Sequence, residues 1–322
     1  MKAWTLSERK KWEIATIEDP ADVQDVAKVK VIRAAITSSD IAVYKGLYGK
    51  MRRIPSRIAA GLISESPDVT LPKGSRVLLA PYSRGNGENV RIRGIHTDGY
   101  LSDFSNVPLD CIYGIPEGIA DDAIPFIEDI ALCVKAYEKL DVNRTEYVVL
   151  YGCSALSLIL AQLCLYYQSI PIVVDTDEAR LDIADALGVY YRINPSEENP
   201  AEKIKEITAG KMAQYLVVDT DTYSVDSEML EWVTCGGKVG LIGFNTCRSG
   251  MRGDFSPIIN RDLTVYGITD GIGELETAVN MLATGILRVD SLLDRVVPFE
   301  DVPDVFRELL DKDNAFKTLV QC

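Results

Sequence analysis

The chain has 322 residues, 47% of them hydrophobic and 25% charged, which is enough for two domains and the make-up of a soluble globular protein. Its net charge of −14 argues against nucleic acid and anionic membrane surfaces as partners, since both require a basic face. Seven cysteines (Cys111, Cys133, Cys153, Cys164, Cys235, Cys247 and Cys322) stand without C-x-x-C spacing in apolar surroundings, and no basic-then-apolar leader opens the chain. Both features predict reduced thiols in a cytoplasmic protein.

Residues 1–36 read as strands: K-A-W-T-L, then W-E-I-A-T-I-E-D, then the alternating V-A-K-V-K-V-I-R-A-A-I. In 37–48, T-S-S-D-I-A-V-Y-K-G-L-Y, Ser39 and Asp40 are placed to cap a short helix that Gly46 stops. Two more strands, 57–66 and 75–82, complete a small β-barrel or sandwich. Helices are expected from 119 to 140, with Asp121 and Asp122 near a start.

The stretch 147–175 is a βαβ unit: strand 147–151, a tight turn at Gly152, an apolar helix 155–167, and strand 170–174 ending on Asp175. Its helix N-terminus turns backbone N–H groups and the positive end of a dipole toward whatever lies over the turn, which suits a pyrophosphate. Asp175 stands where a dinucleotide fold places the carboxylate that accepts from the adenosine ribose. The glycine signature G-x-G-x-x-G is incomplete, with Ser154 and Ser157 at its second and third glycines. No charge falls between Glu146 and Asp175, so a membrane span competes with a buried central helix; the interruptions at Ser154, Ser157, Gln162, Gln168, Ser169 and Pro171 favour the helix.

Beyond it, helix 177–188 closed by Gly188, a strand near Tyr190, helix 200–208, strand 215–219, helix 224–234 and strands 238–244 and 263–268 follow in turn. Such alternation predicts a parallel sheet covered on both faces. The tail adds helix 273–284, F-E-D-V-P-D-V-F-R-E-L-L and K-T-L-V-Q.

The order of these blocks resembles the medium-chain dehydrogenase/reductase superfamily, zinc-type alcohol dehydrogenase-like branch. It is carried by V-K-V-I-R-A-A-I-T-S-S-D-I-A-V-Y-K-G, A-A-G-L-I-S-E-S-P-D-V-T-L-P-K-G-S-R-V, D-G-Y-L-S-D-F-S-N-V-P, I-P-E-G-I-A-D-D-A-I-P-F-I-E-D-I-A-L-C-V-K-A-Y, G-G-K-V-G-L-I-G-F and R-D-L-T-V-Y-G-I. The resemblance implies an α/β protein with a GroES-like β-barrel catalytic domain, 1–133 completed by 270–322, and a Rossmann-type doubly wound parallel sheet, 134–269. It also implies an NAD(P)-dependent oxidoreductase and a homodimer paired through strand 263–268.

The departures are in the metal positions. Thr37 stands where zinc members of the superfamily carry a cysteine, Ser56-Arg57-Ile58 where they carry G-H-E, and Glu128 where they carry a third ligand. One carboxylate is too few for a catalytic zinc. Loop 83–97 lacks the four cysteines of the structural lobe, and His96, the one histidine, reads as a loop residue. The resemblance brings Thr37, Arg57 and Glu128 together, so an Arg57–Glu128 ion pair shared with Asp40 is expected in place of the cation.

The candidate catalytic residues are therefore Tyr48, Ser39, Arg57 and Glu128. S-D-I-A-V-Y-K-G-L-Y looks like the segment of zinc-free enoyl thioester reductases whose last tyrosine is catalytic, and Ser39 matches the serine that relays a proton in the zinc enzymes. Packing for Tyr48 and capping for Ser39 are the structural alternatives. The cofactor set is Gly152, Ser154, Ala155, Leu156, Asp175, Arg180, Gly243 and Thr269, with NAD(H) preferred over NADP(H) because Asp175 repels a 2′-phosphate; its alternative is to cap the next helix. The expected activity is zinc-independent hydride transfer to an activated C=C or C=O of a small-molecule or carrier-bound substrate. An alcohol or polyol dehydrogenase with an atypical site and a non-catalytic scaffold are the rivals.

Overall fold

The computed structural model describes residues 1–8, 11–17, 25–48, 53–84, 90–243, 254, 256–310 and 316–322. Their contacts form two units, Met1–Glu128 with Leu292–Cys322, and Asp129–Ser291.

In the first unit, β1 (Lys2–Glu8) and β2 (Lys11–Thr16) make an antiparallel pair. The spine is β3 (Val26–Ile36), whose alternation turns Ala27, Val29 and Val31 into the core on one face. It runs directly into α1 (Ser38–Tyr44), which Gly46 ends in a left-handed turn. The unit continues with β4 (Ala59–Glu65), β5 (Arg76–Leu79), the separate pair β6 (Tyr82–Arg84) and β7 (Val90–Ile92), then β8 (Phe104–Pro108) and β9 (Ile112–Gly114).

The second unit begins within α2 (Ile127–Leu140) and alternates strand with helix except between β13 and β14: β10 (Tyr147–Tyr151), α3 (Ala155–Tyr166), β11 (Ile170–Val174), α4 (Glu178–Ala186), β12 (Tyr191–Ile193), α5 (Pro200–Ile207), β13 (Ala213–Asp219), β14 (Val233–Ile242), α6 (Ser256–Asn260), β15 (Thr264–Ile268) and α7 (Leu275–Ala283). Its six strands are parallel in the order β12-β11-β10-β13-β14-β15. That is the doubly wound arrangement, with its reversal between β10 and β13. Helix α3 is buried along ten of its twelve residues, which accounts for the charge-free run. No helix among the described residues is long and apolar enough to cross a membrane.

The chain then returns to the first unit as β16 (Leu293–Pro298), α8 (Val302–Glu308) and β17 (Lys317–Gln321). Strand β17 pairs with β3, giving a seven-stranded sheet in the order β16-β17-β3-β4-β5-β9 with β8 also on β3.

Three features differ from the sequence reading. The helix expected over 224–234 is a 3-10 turn, Ser227–Trp232, and β14 already begins at Val233, where β-branched Val233 and Thr234 lead into Gly236-Gly237. The expected end of that strand, Phe244, lies outside the described residues, as do Cys247 and part of loop 83–97. Segment 270–291, expected with the β module, groups with the second unit. Gly271 lies against α2 so closely that a Cβ there would be 2.5 Å from that of Ala131, and Gln162 of α3 exchanges hydrogen bonds with the Arg288 backbone at 2.8 and 3.0 Å.

Candidate functional site

Most of the candidate residues fall into two groups, one in each unit. In the second unit it is the turn after β10. Gly152 has φ +90°, a conformation that favours glycine, and donates its N–H to Val174 across the strand ends at 2.7 Å. Ser154 caps α3, its hydroxyl accepting from the Ser157 N–H at 3.2 Å. The two serines that interrupt the glycine signature thus form the helix cap, and the turn keeps its shape without those glycines. Ala155 and Leu156 follow as the first residues of α3, where N–H groups lack intrahelical acceptors.

Asp175 is 4% exposed and fully engaged. Its Oδ2 accepts from the Cys153 N–H at 2.6 Å and from the Tyr223 hydroxyl at 2.8 Å, while Oδ1 accepts from the Asp177 N–H at 2.9 Å. The cap of α4 is Asp177, which accepts from Ala179 and Arg180 N–H groups, so capping is not the role of Asp175. Arg180 lies 3.3 Å from Asp177 and donates Nη1 to the Tyr223 hydroxyl at 3.1 Å.

Gly243 follows β14 and backs onto the loop after β13; a Cβ on it would stand 2.7 Å from Oδ1 of Asp221. Thr269 follows β15 and is exposed. At the end of β13 and in the loop after it lie two acids that the sequence reading missed, Asp219 and Asp221. Asp219 ends β13 buried, accepts from the Asp221 N–H at 3.0 Å and is bonded by Ser154. Burial, then the charge of Asp221, push the Asp219 carboxyl up to about 7. The D-T-D at the strand end was visible in the sequence, but Tyr223 in its loop gave no signal.

In the first unit, Thr37 is the N-cap of α1. Its N–H and hydroxyl donate to Oδ2 of Asp40 at 2.8 and 2.6 Å, and its hydroxyl also meets that of Ser39 at 2.8 Å. The other oxygen of Asp40 accepts from the Ser56 N–H at 2.7 Å. That bond helps hold Ser56 at φ +66°, an unusual backbone for a residue with a Cβ, and so sets the direction in which Arg57 leaves the chain. Burial raises the Asp40 carboxyl, opposed by the Thr37 and Ser56 hydrogen bonds and by the Arg57 charge.

Arg57 and Glu128 are 1% and 0% exposed, and Nη2 lies 3.0 Å from Oε1. The same oxygen accepts from the Tyr82 hydroxyl at 3.0 Å. Thus Thr37, Ser39, Asp40 and Arg57 meet in one buried group with Glu128. Tyr48 is not part of it: it sits on the turn after α1, partly exposed and packed on the core of the unit. His96 serves its loop, Nδ1 accepting from the Ile92 N–H at 3.0 Å.

A zinc ion does not fit these residues. The Thr37 hydroxyl is committed to Asp40, and a guanidinium stands against the one carboxylate, where a cation would have to go. No three His, Cys, Asp or Glu side chains among the described residues are placed to hold a metal. A dinucleotide fits better in outline, since the bare turn, the helix end and the strand-end carboxylate are all present, but the Tyr223 ring lies on the turn and its hydroxyl bonds to the carboxylate.

The sequence model of the zinc-binding dehydrogenase family matches residues 155–284. An uncharacterized zinc-type alcohol dehydrogenase-like protein of Haemophilus influenzae is 26% identical over 97% of this chain and 95% of its own length. Among solved structures, a putative zinc-binding dehydrogenase of Sinorhizobium meliloti bound to NADP has a TM-score of 0.88 at 19% identity, covering 100% of this chain and 99% of the other. A short chain alcohol dehydrogenase of Escherichia coli complexed with NADH has a TM-score of 0.86 at 21% identity, with the same coverage.

Proposed function

Because the chain belongs to the medium-chain dehydrogenase/reductase superfamily as an oxidoreductase of that type, we propose that it moves hydride between NAD(H) and an activated C=C or C=O without zinc. The observation that supports this reading is the Arg57–Glu128 pair, a fixed cation and carboxylate at two positions that the resemblance matches to metal ligands of the zinc members. Without a Lewis acid an unactivated alcohol is hard to oxidise, whereas a conjugated acceptor requires only a hydrogen-bond donor at its oxygen and a proton.

Tyr48 is the proposed donor, because it alone of the four catalytic candidates is not buried. Ser39, Arg57 and Glu128 are positioning residues that fix the start of α1 and the chain at Ser56. A bound nicotinamide would supply the hydride. Asp175 would receive an adenosine ribose and disfavour a 2′-phosphate, giving the preference for NAD(H). The substrate is a small or carrier-bound conjugated molecule, and the working form is a cytoplasmic homodimer.

The second reading, a scaffold that keeps the fold without catalysis, is favoured by one observation: the ring of Tyr223 over Gly152. Assaying NADH and NADPH oxidation with enals, enones and enoyl thioesters, and NAD⁺ reduction with simple alcohols and polyols, separates the readings. Turnover of conjugated acceptors alone supports the proposal, turnover of alcohols replaces it with a dehydrogenase, and no turnover of any supports the scaffold.

A further inference from the structure

Tyr223 sits in the loop after β13 and reaches back over the turn after β10. A Cβ on Gly152 would lie 1.9 Å from its Cε2 and 2.2 Å from its Cζ, so the ring rests on bare backbone. Its hydroxyl donates to Asp175 at 2.8 Å and accepts from Arg180 at 3.1 Å. Tyr151 meets the ring edge-on with centroids 5.7 Å apart. Burial, and then the neighbouring Asp175 charge, push the phenol well above its ordinary range, so it remains a donor at any working pH.

A hydroxyl that donates to the strand-end carboxylate, accepts from the neighbouring guanidinium and lies over a side-chain-free turn has the surroundings an adenosine ribose hydroxyl takes in a dinucleotide fold. We propose that Tyr223 is an internal occupant of the adenosine-ribose position and is therefore the residue that sets this site's affinity for dinucleotides. The inference rests on the dinucleotide reading above. A nucleotide seats only when the phenol leaves Gly152, and the ligand must replace the hydrogen bonds that Asp175 and Arg180 give up. A charged hydrogen bond lost on one side and regained on the other leaves little net gain for the ribose, so native affinity is weak.

Two substitutions separate the ring from the hydroxyl. Tyr223→Ala removes both, and Tyr223→Phe keeps the ring while freeing Asp175 and Arg180. Calorimetric titration of the full chain with NADH is expected to show binding tighter than wild type by about ten- to a hundred-fold for Tyr223→Ala and by a smaller factor for Tyr223→Phe. Should Tyr223→Ala lack a cooperative thermal transition, the Tyr223→Phe comparison carries the test. Affinity equal to or below wild type in the folded variants overturns the proposal and leaves the dinucleotide reading standing. No binding of NADH or NADPH by any of the three folded proteins overturns both.

Discussion

Nη2 of Arg57 stands 3.0 Å from Oε1 of Glu128, with both side chains closed to solvent and the Tyr82 hydroxyl on the same oxygen. A charge in such a place is tolerated only while its partner remains. Arg57→Met or Glu128→Leu alone should destabilise the chain by about 3 to 5 kcal/mol, whereas the two together should cost much less, because neither charge is left behind. Urea unfolding of the two single variants and the double variant reads this directly. Additive losses would mean that the two side chains are not a pair.

Asp219 makes stability depend on pH. An ordinary aspartate releases its proton near pH 4, whereas burial and Asp221 hold the Asp219 proton to about 7. Between those values the folded chain binds a proton that the unfolded chain has lost, so this contribution is full below about pH 4 and is lost as pH rises through about 7. From pH 4 to 8, Asp219→Asn should gain on wild type by roughly 2 to 4 kcal/mol. A difference between the two proteins that stays constant with pH would show that Asp219 is ionised throughout.

Asp175 holds together Cys153, Asp177 and Tyr223 and, in the proposed function, also reads the cofactor. Asp175→Ser should both lower the melting temperature and narrow or reverse the ratio of NADH to NADPH affinity, by about 1 to 3 kcal/mol. A lower melting temperature with an unchanged ratio would leave it a structural carboxylate only.

Strand β15 closes one edge of the six-stranded sheet, with Thr264 and Val265 exposed. Edge strands of this kind template pairing with a second chain. Sedimentation should give the mass of two chains, and Val265→Lys should shift it toward one. A wild-type mass of one chain at micromolar concentration would remove the dimer.

Tyr48 is the residue whose loss should touch chemistry more than folding. Tyr48→Phe keeps the ring on the core and removes only the hydroxyl. Turnover of a conjugated acceptor should fall by about 100-fold or more while the melting temperature stays near wild type. Unchanged turnover would return Tyr48 to a packing role.

The sequence was most legible where one rule decides a whole element. Strand β3 follows from its alternation, and β10-α3-β11 from an apolar run too interrupted for a membrane. The helix expected over 224–234 failed because six residues of helical character end at β-branched Val233 and Thr234, and pairing of Val233 with Ala213 of β13 starts the strand there. In the sequence only the family resemblance relates Arg57 to Glu128, since nothing local connects residues so far apart. Asp40 to Ser56 and Asp175 to Tyr223 are likewise contacts made by chain reversals, one through a left-handed serine and one through a loop, and periodicity carries no trace of either.

In the proposed function a guanidinium stands in place of zinc in a working oxidoreductase. That function is tested most directly by elemental analysis and NADH oxidation on one preparation of chelator-treated full chain, with an enoyl thioester and an enone as acceptors and NADH in large excess to offset Tyr223. The expected result is turnover that zinc neither supplies nor increases, in protein holding far less than one zinc per chain. One tightly held zinc per chain, or activity that appears only when zinc is added, would contradict it.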